Sequence, residues 1–198
     1  MTFDIACTAL LVMDCQTGIV SIYAKPQDEF ISRATMVLRA ARDARMAVVH
    51  IRVGFRSGLP EVSPRNKLFA RIKSSPQHQQ LFEGELGGVH PSLIDHQNDI
   101  IVTKHRVDAF AGTDLEMVLR SRDITTLVLF GIATSGVVLS TLLHACDDDY
   151  ELVVISDCCA DLDAELHEAL LTRLFLQRAT VMRASEFVEA LSGGYPHA

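Results

Sequence analysis

The chain has 198 residues, 48% of them hydrophobic and 22% charged, with no Trp and a formal net charge of −7. That length supports one domain with a continuous core, the apolar content excludes a disordered chain, and the acidic balance argues against a nucleic-acid partner. No stretch reaches the ~18 uninterrupted apolar residues of a membrane-spanning helix, so no membrane partner is expected. The five cysteines (Cys7, Cys15, Cys146, Cys158, Cys159) are odd in number and lack paired spacing. They read as free thiols of a reducing compartment, which makes the cytoplasm the expected location.

The first residues carry Asp4 and no basic run, so the apolar segment that follows reads as a strand and not as a signal peptide. Thr8–Met13 is too continuously apolar to have a wet face, the pattern of a strand covered on both sides, and it delivers Asp14 at its carboxyl end. Taken alone, an Asp in that position reads as a turn or capping residue. From Gln27 to Arg45 the apolar residues Phe30, Ile31, Ala34, Val37, Leu38 and Ala41 form a helical stripe opened by Pro26. Ala47–Ile51 is the second strand, and the lone His50 within it reads as a hydrogen-bonded structural histidine.

Residues 54–98 hold four of the six prolines (Pro60, Pro64, Pro76 and Pro91) and a run of glycines. A connection of that length in a compact domain is usually functional or locally structured. It is expected to be a partly helical insertion, most helical over Lys67–Lys73, that folds over a crevice or onto a partner subunit. Its Leu59, Val62, Leu68, Phe69, Ile72, Leu81 and Phe82 exceed what a free loop would expose, which predicts a homo-oligomer with an interface there. His78, His90 and His96 lack ligand spacing and read as solvated or packing residues.

Asp99–Thr103 is the third strand and is followed by Lys104, which in isolation reads as a solvated charge. Thr113-Asp-Leu-Glu116 has the pattern of a capping box opening a helix with Leu115, Val118 and Leu119 inward. Leu127–Phe130 is a second fully apolar strand, Gly131 permits a sharp turn, and Thr134 and Ser135 stand where a helix N-cap belongs. A strand running into a helix N-terminus is where an open α/β sheet places its ligand. Glu151–Ile155 is a fifth strand, with Cys158 and Cys159 as packing residues beyond it. Leu166–Leu176 is a helix, Thr180–Met182 a short last strand, Ser185 the cap of a closing helix, and residues 193–198 a frayed tail. This alternation predicts an α/β fold, a Rossmann-like three-layer α/β/α arrangement on a mainly parallel sheet of about six strands. It forms a single domain over residues 1–198 with the insertion at about 54–98.

Three segments carry a resemblance: Leu10-Leu-Val-Met-Asp-Cys-Gln16, Lys104-His-Arg-Val-Asp-Ala-Phe-Ala-Gly-Thr113 and Gly131-Ile-Ala-Thr-Ser-Gly-Val-Val138. Together they resemble the isochorismatase-like, or cysteine hydrolase, superfamily, which also contains nicotinamidases and N-carbamoyl amidohydrolases. The resemblance implies that Asp14 and Lys104 are catalytic and that position 137, held here by Val137, is where other members carry a nucleophilic Cys. It places Gln16, Phe110, Ile132, Ala133, Thr134, Ser135 and Gly136 against the substrate and makes the Ile132–Ala133 peptide cis. Asp108 stands where many relatives have Ser. The metal-binding set of nicotinamidases is missing around His50, so neither a metal nor a cofactor is expected.

Valine has no atom with which to form a thioester. Members that lack the Cys hydrolyse a vinyl ether, with the Asp as general acid protonating the enol carbon. The resemblance therefore implies Asp-assisted hydrolysis of a small, carboxylated metabolite by a dimer or tetramer. General acid catalysis requires desolvation to raise the Asp14 pKa against the lowering effect of Lys104. Two alternatives stay open: an amide (C–N) hydrolase using Ser135 or Ser140 as an unusual nucleophile, and a non-catalytic small-molecule-binding or oligomeric scaffold.

Overall fold

A computed structural model describes residues 2–95 and 97–192, so the readings of His96 and of the tail at 193–198 fall outside the described residues. Six strands form one sheet: β1 (Thr8–Met13), β2 (Ala47–Val53), β3 (Ile100–Lys104), β4 (Thr126–Gly131), β5 (Glu151–Ile155) and β6 (Thr180–Met182). Their order is β3-β2-β1-β4-β5-β6, and every pairing is parallel. All six residues of β1 are buried. Successive side chains point to opposite faces, so the sheet is covered on both sides, as the unbroken apolar run required. The strand order reverses between β1 and β4, and at such a switch point the loops leaving adjacent strands diverge and open a crevice.

The helices are α1 (Thr17–Tyr23), α2 (Gln27–Asp43), α3 (Lys67–Lys73), α4 (Pro76–Gln80), α5 (Leu115–Arg120), α6 (Leu139–Asp147), α7 (Ala164–Ala169) and α8 (Ala184–Ser192). Helix α2 buries the predicted stripe of Phe30, Ala34, Val37, Leu38 and Ala41 and packs against α8. At the start of the second crevice loop Gly131 has φ +154, and a Cβ there would meet the Met13 carbonyl oxygen at 2.1 Å. Only glycine lets β4 lie this close to β1, where Ile132 N–H donates to that same carbonyl at 3.0 Å.

Three local expectations are corrected. The capping box does not close: Thr113 Oγ1 accepts from Leu115 N–H, while Glu116 pairs with Arg120 at 2.6 Å on the exposed side of α5. Ser185 lies inside α8, whose leading N–H groups at Arg183 and Ala184 donate to Glu186 and Asp157 carboxylates. The predicted helix over Leu166–Leu176 begins earlier, and it widens into a π turn at Leu170–Leu174 before a 3-10 turn at Phe175–Gln177.

His50 is the structural histidine that the sequence suggested. Its Nε2 lies 2.9 Å from Asp99 Oδ2, and an ionised carboxylate can only accept, so Nε2 carries the proton. Arg42 grips the same carboxylate through Nε and Nη2, and Asp95 N–H donates to it at 2.8 Å. Burial would push the Asp99 carboxyl up, but these donors outweigh it and hold the group at about 2, below the ordinary 3.8. A depressed carboxyl adds stability that is fully present above pH 3.8 and lost as pH falls toward 2, worth about 2 kcal/mol. Asp99→Asn is therefore expected to unfold at lower urea than wild type at pH 6, with the gap shrinking between pH 4 and pH 2. A constant gap across that window would refute the assignment.

Candidate active site

The chain leaves β1 through Asp14, a non-glycine residue at φ +54. Asp tolerates this left-handed conformation better than most residues, and the kink turns its carboxylate toward the switch-point crevice. Lys104 ends β3, two strands away across β2, a lateral separation of about 10 Å that only a long side chain bridges. Its Nζ donates to Asp14 Oδ2 at 2.8 Å, to the Arg106 carbonyl at 3.1 Å and to the Val107 carbonyl at 2.9 Å. All three ammonium protons are thereby used, with the side chain 1% exposed. Asp14 is satisfied on one side only: its Oδ1 is buried and has no hydrogen-bond partner. Burial pushes the Asp14 carboxyl up, and the nearby ammonium offsets this only in part.

The carboxylate opens onto a cavity of about 490 Å³. On the β4 side the lining comes from Ile132, Ala133, Gly136 and Val137, joined through the cis Ile132–Ala133 peptide. Tyr23 of α1 lines one wall; burial, then the nearby Asp161 carboxylate, push its phenol up, so it remains a hydrogen-bond donor. The opposite wall is the insertion, whose α3 and α4 contribute Phe69, Arg71 and His78. The insertion therefore folds over the crevice, as one branch of the sequence reading had it. Leu59, Val62 and Phe69 form a small core of their own with Phe55, Ile72 and Val107. Most of the apolar content that suggested an interface is spent internally, with Leu68 and Leu86 left exposed.

Of the residues expected at the substrate, Ile132, Ala133 and Gly136 line the cavity, and four do not. Gln16 is fully buried, donating through Nε2 to the Val53 and Gly87 carbonyls and accepting from Val53 N–H at 2.7 Å. It ties β2 to the insertion and has no polar group left for a ligand. Phe110 is stacked on His144 with ring centroids 4.6 Å apart, away from the crevice. Thr134 and Ser135 do not cap the helix with their side chains, because α6 is preceded by a wider π turn, Thr134–Val138. The Thr134 hydroxyl pairs with His167 Nδ1 at 2.8 Å. Ser135 N–H instead donates to Asp161 Oδ2 at 2.7 Å, a cap supplied from beyond β5. Asp108 is held by His144 at 2.7 Å and is not a cavity group.

Sequence reasoning missed Tyr23, Arg71, Arg106 and Leu162 at the cavity. Only Arg106 and Leu162 carried a usable signal, as loop residues shortly after strands; Tyr23 ends α1 and Arg71 lies within α3, where local pattern gives no hint of a cavity. The role of Gln16 yields a direct expectation. Gln16→Ala strands one buried N–H and two carbonyls, costing roughly 2–3 kcal/mol, and frees the insertion from β2. Urea unfolding should report the loss, and limited proteolysis should cut first within residues 54–98.

Residues 8–186 match the family described as Isochorismatase domain. The isochorismatase family protein YecD of Escherichia coli O157:H7 is 32% identical over 187 residues, 93% of this chain and 96% of that one. Ureidoacrylate amidohydrolase RutB of Acinetobacter baylyi is 31% identical, covering 82% of this chain and 74% of that protein. Among solved structures, an isochorismatase family protein from Burkholderia thailandensis superposes with a TM-score of 0.79 at 28% identity, over 96% of this chain and 98% of that one. By these matches over nearly its whole length, the chain belongs to the isochorismatase family of hydrolases.

Proposed function

We propose that this hydrolase cleaves a vinyl ether or related acid-labile bond in a small, carboxylated metabolite, with Asp14 as general acid and no covalent intermediate. The observation that carries this reading is the cavity lining, which among the described residues includes no Cys, Ser or Thr but does include a carboxyl whose pKa is raised by burial. Asp14 delivers its proton to the enol carbon, leaving an oxocarbenium ion. Water adds to that ion and returns a proton to Asp14, and the hemiketal collapses to a carbonyl product and an alcohol. Lys104, fixed by two backbone carbonyls, stabilises the carboxylate that appears as the proton leaves. The site needs no metal or cofactor for these steps. A cytoplasmic setting fits the five unpaired cysteines, and self-association through the exposed Leu68 and Leu86 of the insertion belongs to the same reading.

Amidohydrolase relatives give the rival reading its support. Against it, Ser140 Oγ is spent on the Gly136 carbonyl at 2.9 Å, and Ser135 lies outside the cavity.

The reading predicts turnover on a panel of vinyl ethers of small carboxylates, with kcat/KM highest at low pH and falling as pH rises through the raised Asp14 pKa. Asp14→Asn should lower it by about 100-fold or more. Activity that rises with pH, or that survives Asp14→Asn, would instead assign Asp14 a different role or none.

A second expectation concerns Val137, which is 2% exposed and sits in the first turn leading into α6. Val137→Cys is nearly isosteric and should fold. The thiol would sit beside the helix N-terminus and the Lys104 ammonium, which favour thiolate. Alkylation faster than that of the native cysteines near neutral pH, slowed by Lys104→Ala, is the expected result. A thiol titrating near the ordinary value of about 8.5 would mean that the crevice lacks this polarity.

A further inference from the structure

The charges around the cavity are unequal. Asp14 at most cancels the charge of Lys104, and the remaining fixed charges of the lining are Arg71 and Arg106. The two arginines differ in freedom. Arg106 is held in place: Nη1 donates to the His105 carbonyl at 2.6 Å, Nη2 to the Glu61 carbonyl at 3.1 Å, and the guanidinium lies over the Phe69 ring at 5.9 Å. Arg71, two residues beyond Phe69 on the same insertion helix, has a guanidinium with no hydrogen bond or ion pair among the described residues. Much of the wall between these cations and Asp14 is apolar, including Ile19, Ile72, Leu81, Phe82, Val107 and Leu162.

An excess of positive charge at the rim of an apolar cavity attracts an anion and orients it before it reaches the floor. A guanidinium with all its donors free is matched to a carboxylate, which it can grip through two parallel hydrogen bonds. We infer that Arg71 is the specificity-determining residue of this site. It binds the carboxylate of an amphipathic monoanion, with Arg106 as a fixed electrostatic backstop, while the ligand's hydrocarbon body fills the apolar wall and its far end meets Asp14. The insertion then serves as the part of the fold that selects the substrate, and the β1 and β4 loops as the part that reacts with it. This inference rests on the crevice being the substrate site and deepens the proposal above.

The test uses benzoate and its uncharged isostere benzamide as probes, titrated into the full-length protein at pH 7 by calorimetry. Wild type is expected to bind benzoate at least about tenfold more tightly than benzamide, with the difference shrinking as salt is added. Arg71→Ala should erase that preference while leaving benzamide binding within about twofold, and Arg71→Lys should restore part of it, because the charge returns without the planar fork. Arg71 is exposed, so the variants should fold, and Arg71→Gln provides a longer, helix-compatible control. Equal binding of the two probes, equal weakening of both by Arg71→Ala, or no benzoate binding up to about 10 mM would each overturn the inference. Asp14→Asn separates this idea from the catalytic one: it is expected to abolish turnover and keep the preference for benzoate, so a failure of acid catalysis leaves the recognition result readable.

Discussion

The buried contact between Asp14 and Lys104 is the constraint on which the rest of the crevice depends. Burying two charges is costly unless geometry and additional hydrogen bonds compensate. Here the compensation is lopsided: the ammonium has three acceptors for its three protons, whereas the carboxylate keeps one oxygen buried and unmatched. Desolvation therefore falls hardest on Asp14, and its carboxyl moves up despite a cation 2.8 Å away. A carboxyl that retains its proton more readily and lines a cavity is equipped to donate that proton. The two carbonyls that hold Lys104 belong to Arg106 and Val107, cavity residues themselves, so the shape of the β3 loop and the electrostatics of the site are one problem.

The insertion is bound to that same arrangement. Helix α1 has no side-chain cap at its N-terminus. Its first amides at Thr17 and Gly18 donate to the carbonyls of Gly88 and Leu86, so the insertion provides the missing acceptors. His90 N–H in turn donates to the Cys15 carbonyl, beside Asp14. With Gln16 bonded to Val53 and Gly87, the residues that follow the Asp14 carboxylate are fixed to both β2 and the insertion. Covering the crevice and immobilising its acid are accomplished by the same hydrogen bonds.

The start of α6 shows a different use of a familiar feature. A helix N-terminus carries positive potential that an open site can offer to a ligand or a thiolate. Here Asp161 accepts from Ser135 N–H, and although burial raises its carboxyl, the Ser135 hydrogen bonds hold it below the usual range. Part of that potential is met by a fixed internal anion, and the cavity-facing position of the turn is an aliphatic Val137. Both features suit a reaction in which no negative charge accumulates on a nucleophile at this helix end.

Much of this was legible in the sequence because it depends on local pattern. Continuous apolar runs fixed the buried parallel strands, the stripe from Phe30 to Ala41 fixed α2, and Gly131 marked the close approach of two backbones. Asp14 and Lys104 stood out once their segments were matched to a family pattern, and their meeting across β2 follows from strand order. What a motif cannot say is where a polar side chain spends its hydrogen bonds, since partners lie far away in the chain. Gln16 looked like a ligand-binding residue and is a strap to Gly87, 71 positions later. The cap of α6 was sought in Thr134 and Ser135 and came from Asp161, 26 positions later. Arg71 was unremarkable on its helix until the insertion laid it beside the cavity. Period and composition set the elements because they act between neighbours; the chemistry of the crevice was decided by tertiary structure, because only the folded chain determines which charges are desolvated and which donors remain free.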